Sequence, residues 1–271
     1  MVFVSKQTHV YFFSFSFTVA LASVVVALAL LCLQKYMGTC FGTMTAMAGR
    51  YPPVFTDKRT LRKAIRLYIR THGVNCPHGP IGTWNVSNMT DMACLFQGCT
   101  TFNEPLDAWD VSNVTDMNCM FYGCYAFNQP LQTWNVSHVV NMAGMFCGCI
   151  AFDHPLQTWN VSHVCNMEGM FYGCYVFNQP LDTWNVSHVT NMKYMFARCL
   201  KFNQPLADWN VARVCYVADM FFMFFMCYAF RQNLFAWTQQ NSIVQAHQIM
   251  MFSDVNQCTH CFQEPDNYLL K

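Results

Sequence analysis

The sequence predicts an α/β fold. It is a solenoid of about six 25-residue coils, each a short strand plus a helical turn, preceded by a single transmembrane helix and a capping helix. Three observations predict it. Trp84, Trp109, Trp134, Trp159, Trp184 and Trp209 recur at strict 25-residue spacing, and a period of that size marks stacked supersecondary units. Residues 11–33 carry no charge, and a helix of that length spans a hydrocarbon core of about 30 Å. Residues 57–70 set Leu61, Ala64, Ile65 and Tyr68 on one helical face and Lys58, Arg59, Arg62, Lys63, Arg66 and Arg70 on the other, the pattern of a surface helix.

In order along the chain, residues 1–10 form an N-terminal tail and 11–33 a transmembrane or signal-anchor helix. Residues 34–55 form a linker, 56–80 a capping helix and loop, 81–230 the repeat solenoid, and 231–271 a degenerate repeat with a C-terminal cap. The apolar run is longer than the apolar core of a secretory leader, about 7 to 15 residues. It also continues past the Ala20-Leu21-Ala22 cleavage-like triplet. An uncleaved anchor is therefore expected over a removed leader. Lys6 on one side and Lys35 and Arg50 on the other leave its orientation open. The repeats are expected in an extracellular or luminal space. In the basic segment, Asp57 is a fitting N-cap and Gly73 a fitting stop. Two readings stand for it: a polar cover on the first coil, or a contact with anionic lipid.

The unit 131–155, LQTWNVSHVVNMAGMFCGCIAFDHP, shows how one repeat is read. Trp134 and Val136 are two apart and share one face of a strand. Val139, Met142, Phe146 and Cys149 are three or four apart and share one face of a helical turn. Pro155 removes a donor and limits the next strand. No unit buries its apolar face alone, so stacking at about 4.8 Å makes ladders of Trp, Val, Met, Phe and Cys. The period breaks once, at 28 residues from Trp209 to Trp237, and FFMFFM at 221–226 is expected to carry the three extra residues.

These motifs carry a resemblance. Residues 177–196, FNQPLDTWNVSHVTNMKYMF, are similar to the repeat of the BspA-type leucine-rich-repeat surface proteins, the domain-of-unknown-function 285 group. The likeness covers over half of the chain. It implies a leucine-rich-repeat-like solenoid and a surface or adhesion role. Where the group often has Asp after the Trp, only Asp110 keeps it; Asn85, Asn135, Asn160, Asn185 and Asn210 replace it.

That replacement creates most of the Asn-x-Ser/Thr triplets, at Asn85, Asn88, Asn113, Asn135, Asn160 and Asn185. Each is a glycan acceptor if the repeats enter the secretory lumen; stacked turns and amide ladders are the other reading. The cysteines Cys99, Cys124, Cys149, Cys174 and Cys199 follow the period and are expected as buried free thiols. Cys94, Cys119 and Cys147 lie off that column. Cys258-Thr-His-Cys261 lacks the second half of a zinc signature. His138, His163 and His188 form a solvated column rather than a metal site.

No catalytic residue, metal site or cofactor is expected. Charged residues make up only 11% of the chain and net charge is +1, which argues against nucleic acid as a partner. The expected function is a non-enzymatic, membrane-anchored surface repeat protein. It would bind a protein or glycan through the residues beside each core Trp: Thr133, Asn135, Thr158, Asn160, Thr183, Asn185, Asp208 and Asn210. The alternative is a structural, self-associating repeat protein without a specific ligand.

Overall fold

The computed structural model describes residues 53–252 together with Cys261 and Phe262. The run 11–33 and Cys258 lie outside the described residues. Among the described residues no helix is long and apolar enough to cross a membrane.

The first regular element is α1 (Lys58–Arg70). It starts where Asp57 accepts from the Thr60 N–H at 2.8 Å, which satisfies a donor the first turn leaves open. It ends at Arg70 with Thr71 as C-cap, and the chain turns away through His72 and Gly73, both at positive φ, with the Gly73 N–H donating to the Tyr68 carbonyl at 2.9 Å. Leu61, Ala64, Ile65 and Tyr68 are its buried face. Tyr68 meets Trp84 edge-on at 5.8 Å, and Phe55 covers the same indole at 5.2 Å. Lys58 reaches Asp91 at 2.7 Å. The helix thus closes over the first Trp, while Arg59, Lys63, Arg66 and Arg70 stay exposed.

From Ile81 onward the chain repeats one backbone pattern. In the unit 131–155, the Met142, Phe146 and Gly148 N–H groups donate to Asn166, Met170 and Tyr172 in the next unit, at 2.9, 2.9 and 2.7 Å. Between them, Met145, Cys147 and Cys149 donate three residues back, to Met142, Gly144 and Phe146. The N–H groups thus alternate between the neighbouring unit and a local turn. Gly144 and Gly148 sit at the third position of two of these turns with φ of +61° and +76°, the left-handed conformation that type II turns need.

Side chains make the inter-unit contacts that the backbone leaves out. Each Trp is buried, yet each indole N–H has a carbonyl partner, which from Trp109 onward lies in the preceding unit. Trp134 donates to Leu106, Trp159 to Leu131 and Trp184 to Leu156, at 2.9 to 3.0 Å. The Phe rings form two parallel columns. Phe121, Phe146 and Phe171 lie 5.7 and 5.8 Å apart, and Phe127, Phe152 and Phe177 lie 6.0 Å apart. Trp184 and Trp209 are parallel within 5° with centroids 6.5 Å apart, an offset stack of the kind aromatic quadrupoles favour. Polar residues do the same at the rim. Asn128 accepts the Asp153 N–H at 3.0 Å, Asp153 the Asn178 N–H at 2.9 Å, and Asn178 the Asn203 N–H at 2.9 Å.

Two local expectations differ from the structure. No strand forms at Trp134–Val136 among the described residues. The parallel pairing between units is one residue wide and falls on Asp91, Asp116, Asn141, Asn166 and Asn191, with one further bridge, Val54 to Asn85, ahead of the first unit. The backbone at Trp134 is held by a turn, its N–H donating to Leu131 at 3.0 Å, and Val139 closes a second turn onto Val136. Tight turns on both sides leave no room for a strand. The helical turn at 139–149 is likewise a chain of tight turns rather than a helix. The three extra residues also enter before FFMFFM. Val214 still follows Val211 as Val189 follows Val186, but Met192 already donates to Asp219 at 2.7 Å. The insertion therefore lies between Val214 and Asp219, where a 3-10 turn, Val217–Met220, takes up the slack. Phe221–Met226 returns to register, with Phe224 stacked on Phe196 at 5.8 Å.

Two short helices follow, α2 (Phe235–Gln240) and α3 (Ser242–His247). Buried Asn241 between them donates to the Val211 and Val214 carbonyls, both at 2.9 Å, and caps α3 by accepting from Ile243 at 2.9 Å.

Candidate functional site

The residues beside each Trp are exposed, and the structure gives most of their polar atoms an internal partner. Thr133, Thr158 and Thr183 donate their hydroxyls to the Asp107, Gln132 and Gln157 carbonyls at 2.8, 2.8 and 3.1 Å. Asn135, Asn160, Asn185 and Asn210 each accept, at 3.1 Å, the N–H of the residue two further on: Ser137, Ser162, Ser187 and Ala212. These are Asx turns, in which the side chain substitutes for a backbone turn. The outward groups that remain are the amide nitrogens of these Asn residues and the exposed carboxylate of Asp208.

The sequon column divides by the same test. Asn85 serves its own turn twice, accepting from the Ser87 N–H and hydroxyl at 3.0 and 2.8 Å. Asn113 spends its amide nitrogen on the Ser87 carbonyl at 2.9 Å. Asn88 is exposed. Asp110, the one acid of the column, has its carboxyl held below the usual range by the Ser112 hydroxyl and N–H.

The cysteine column Cys124, Cys149, Cys174, Cys199 and Cys227 is buried, with no disulfide formed. Cys124, Cys149 and Cys174 donate to the Phe96, Phe121 and Phe146 carbonyls at 3.0 to 3.1 Å. Burial pushes all five thiols up, strongly for Cys149, Cys174 and Cys199. Cys99, at the start of the column, is only half-buried. Of the histidines, His138 meets the Ser112 carbonyl at 2.9 Å, and His163 and His188 lie 3.5 Å from the hydroxyls of Ser162 and Ser187.

A different surface is concave. An open groove of about 360 Å³ runs across successive units. Its floor is Gly123, Gly148 and Gly173, all with positive φ. The backbones there approach closely: a Cβ added at Gly148 would lie 3.5 Å from the Gly123 Cα. One wall is Tyr122, Cys147 and Tyr172, and the other is Tyr125, Ile150 and Tyr175. Tyr122, Tyr125 and Tyr175 are exposed. Arg198 stands in the next position of the glycine column, with φ of +61°. The neighbouring tyrosines, Tyr172 foremost, favour its charged form further. The Cys147 thiol, largely buried beside Cys119, is pushed up to about 11.

Sequence reasoning passed over this groove because the tyrosines do not follow the 25-residue period. The signal was present at double that period: FYGCY occurs at 121–125 and again at 171–175, with FCGCI between at 146–150.

The backbone register and side-chain ladders extend over the same residues as a family match. The family described as "Mycoplasma protein of unknown function, DUF285" matches residues 70–164 and 150–264, more than half of the chain. The chain belongs to the DUF285 family. No curated protein and no solved structure matches it. The DUF285 repeat accounts for the Trp, Phe and Asn ladders, whereas the groove tyrosines occupy positions that differ from one unit to the next.

Proposed function

We propose that this DUF285 protein is a non-enzymatic binding protein of the BspA-like leucine-rich-repeat kind. In this reading the stacked units form a solenoid, residues 11–33 anchor it in a membrane, and the repeats face an extracellular or luminal space. The single observation that supports binding best is the tyrosine-walled groove. Four tyrosines and one arginine line it, residue types that supply most interface energy when they are presented on a rigid support. The columns beside the Trp residues are the weaker choice, because their hydroxyls and amide oxygens are already bonded internally.

The test is a binding screen with the full chain in detergent. Immobilised saccharides and peptides are probed with the wild type and with the Tyr125→Ala/Tyr175→Ala double variant. Retention of a ligand class by the wild type, weakened at least about tenfold in the variant, is the expected result. Binding of nothing by the wild type, or equal binding by both, overturns the reading.

A further inference from the structure

We infer that the groove takes an acidic saccharide, a chain of pyranose rings bearing carboxylates; this rests on the binding role proposed above. The floor argues first. The Gly123, Gly148 and Gly173 N–H groups donate to the Cys147, Tyr172 and Ala197 carbonyls at 2.7, 2.7 and 2.8 Å, and the Gly148 carbonyl accepts from Ile150 at 2.9 Å. A peptide adding as an extra strand would need main-chain donors as well as acceptors along the floor, and all three glycine donors are taken. Recognition therefore falls to side-chain faces and hydroxyls.

The walls argue next. Tyr125 and Tyr175 are two units apart, about 10 Å at strand spacing, which is the length of two linked pyranose rings. Alternate rings of a saccharide can then lie against Tyr125 and Tyr175, with Ile150 of the same wall beside the ring between them. A tyrosine offers a flat apolar face and a hydroxyl at one end, which suits a ring with one apolar face and a polar edge.

Charge completes the match. Arg198 is the one charged residue lining the groove. A planar guanidinium pairs with a carboxylate through two parallel hydrogen bonds. Arg198 is half-buried among the groove-lining residues, on the left-handed backbone position that continues the glycine column. An anionic occupant meets this cation without meeting any acidic side chain of the groove.

The experiment measures binding of oligogalacturonate and of sialyllactose to the full chain, each against a neutral counterpart, carboxyl-reduced oligogalacturonate and lactose. An oligoproline peptide is run beside them. Arg198→Gly restores the glycine that precedes it at 98, 123, 148 and 173 and suits the left-handed backbone, so folding is retained. Arg198→Lys keeps charge without the paired geometry. The expected result is preference for either carboxylated probe by at least about tenfold, lost in Arg198→Gly and reduced in Arg198→Lys. The stronger of the two acidic probes tells a uronic from a sialic acid. Equal binding of neutral and acidic saccharides, or preference for oligoproline, overturns the inference while leaving the groove a binding site. Binding of no probe in this set overturns the inference as well, and the broader screen then decides the binding role separately.

Discussion

Replacing Phe146 by Ala tests whether the aromatic columns hold the stack together. Phe146 is fully buried. It lies 5.7 Å from Phe121 and 5.8 Å from Phe171 in the neighbouring units, and 4.3 Å from Phe152 in its own. Removing a buried Phe side chain costs about 3–5 kcal/mol for transfer and cavity. Three parallel ring partners, each contributing about 0.5–1.5 kcal/mol beyond area burial, place Phe146→Ala at the upper end of that range. Phe146→Leu keeps most of the volume and loses the three ring pairs, so about 1.5–4.5 kcal/mol is expected. Phe252, near the other end, has one stacked partner, Phe224 at 5.2 Å, besides a tilted and an edge contact. Its replacement by Ala should cost less. Because each unit touches mainly its neighbours, a break in the middle also uncouples the two halves. Urea unfolding of the full chain, followed by Trp fluorescence and by far-UV circular dichroism, gives the assay. The wild type should show one transition and Phe146→Ala two. A loss below about 2 kcal/mol, or equal losses at Phe146 and Phe252, would refute the reasoning.

Thiol accessibility gives a second expectation. Exposed Cys215 should react with iodoacetamide in the folded protein, whereas Cys174 and Cys199 should be modified only after denaturation, as read by peptide mass spectrometry. Cys147, raised to about 11, should react slowly at pH 8 and faster as pH approaches 11. The buried column also sets an alkaline limit. Its five thiols titrate higher in the folded chain than in the unfolded one, so the stability they contribute is complete below about pH 8.5, the unfolded thiol value. That stability is then lost as pH rises towards the folded values; a urea midpoint unchanged between pH 8 and 11 would contradict this. Asn160→Ala removes the bond to the Ser162 N–H and should cost about 1 kcal/mol. Asn160→Asp should match the wild type at pH 7 and lose stability in acid. The lowered carboxyl of Asp110 in the same column sets that sign, and equal urea midpoints at pH 7 and pH 3 for Asn160→Asp would contradict it.

The buried columns were legible because apolar identity and period coincide at the same positions. Trp159, Phe146, Met142 and Cys149 are as buried as their spacing demands. The ladder position was not legible. Asn141 and Asn166 cap their turns, accepting the Ala143 and Glu168 N–H groups at 3.1 and 3.0 Å. Nothing in their side chains announces that their backbones also pair. The alternation at Trp134 and Val136 suggested a strand, but inward pointing at two-residue spacing also results from turns on either side. The insertion was misplaced because phenylalanines at 221, 222, 224 and 225 disguise an unbroken register, whereas Cys215 and Tyr216 hide the true break. The candidate site was least legible of all. The polar residues beside the Trp read as available for binding, yet the Thr hydroxyls pair with the preceding unit and the Asn oxygens with their own turns, which leaves the Asn amide nitrogens and Asp208 outward. The tyrosines lay in the variable positions, where a search for period does not look.

The Asn128, Asp153, Asn178 ladder has a further consequence for how this chain can change in length. Each side chain grips the backbone of the unit that follows, at the same offset every time. Deleting residues 156–180 would leave every remaining grip with an equivalent substitute, so the molecule can be shortened or extended in whole quanta of one unit. A deletion of any other size would misalign the one grip that spans it and force its unit to take up the difference, as Asn203 still accepts the Arg231 N–H at 2.8 Å across the three-residue insertion. Between Val214 and Asp219 the chain has already absorbed three extra residues. Yet the same deletion would remove Tyr172 and Tyr175, since nothing in the grip specifies what those positions carry. Length and surface therefore change together in this chain, while the core is indifferent to both.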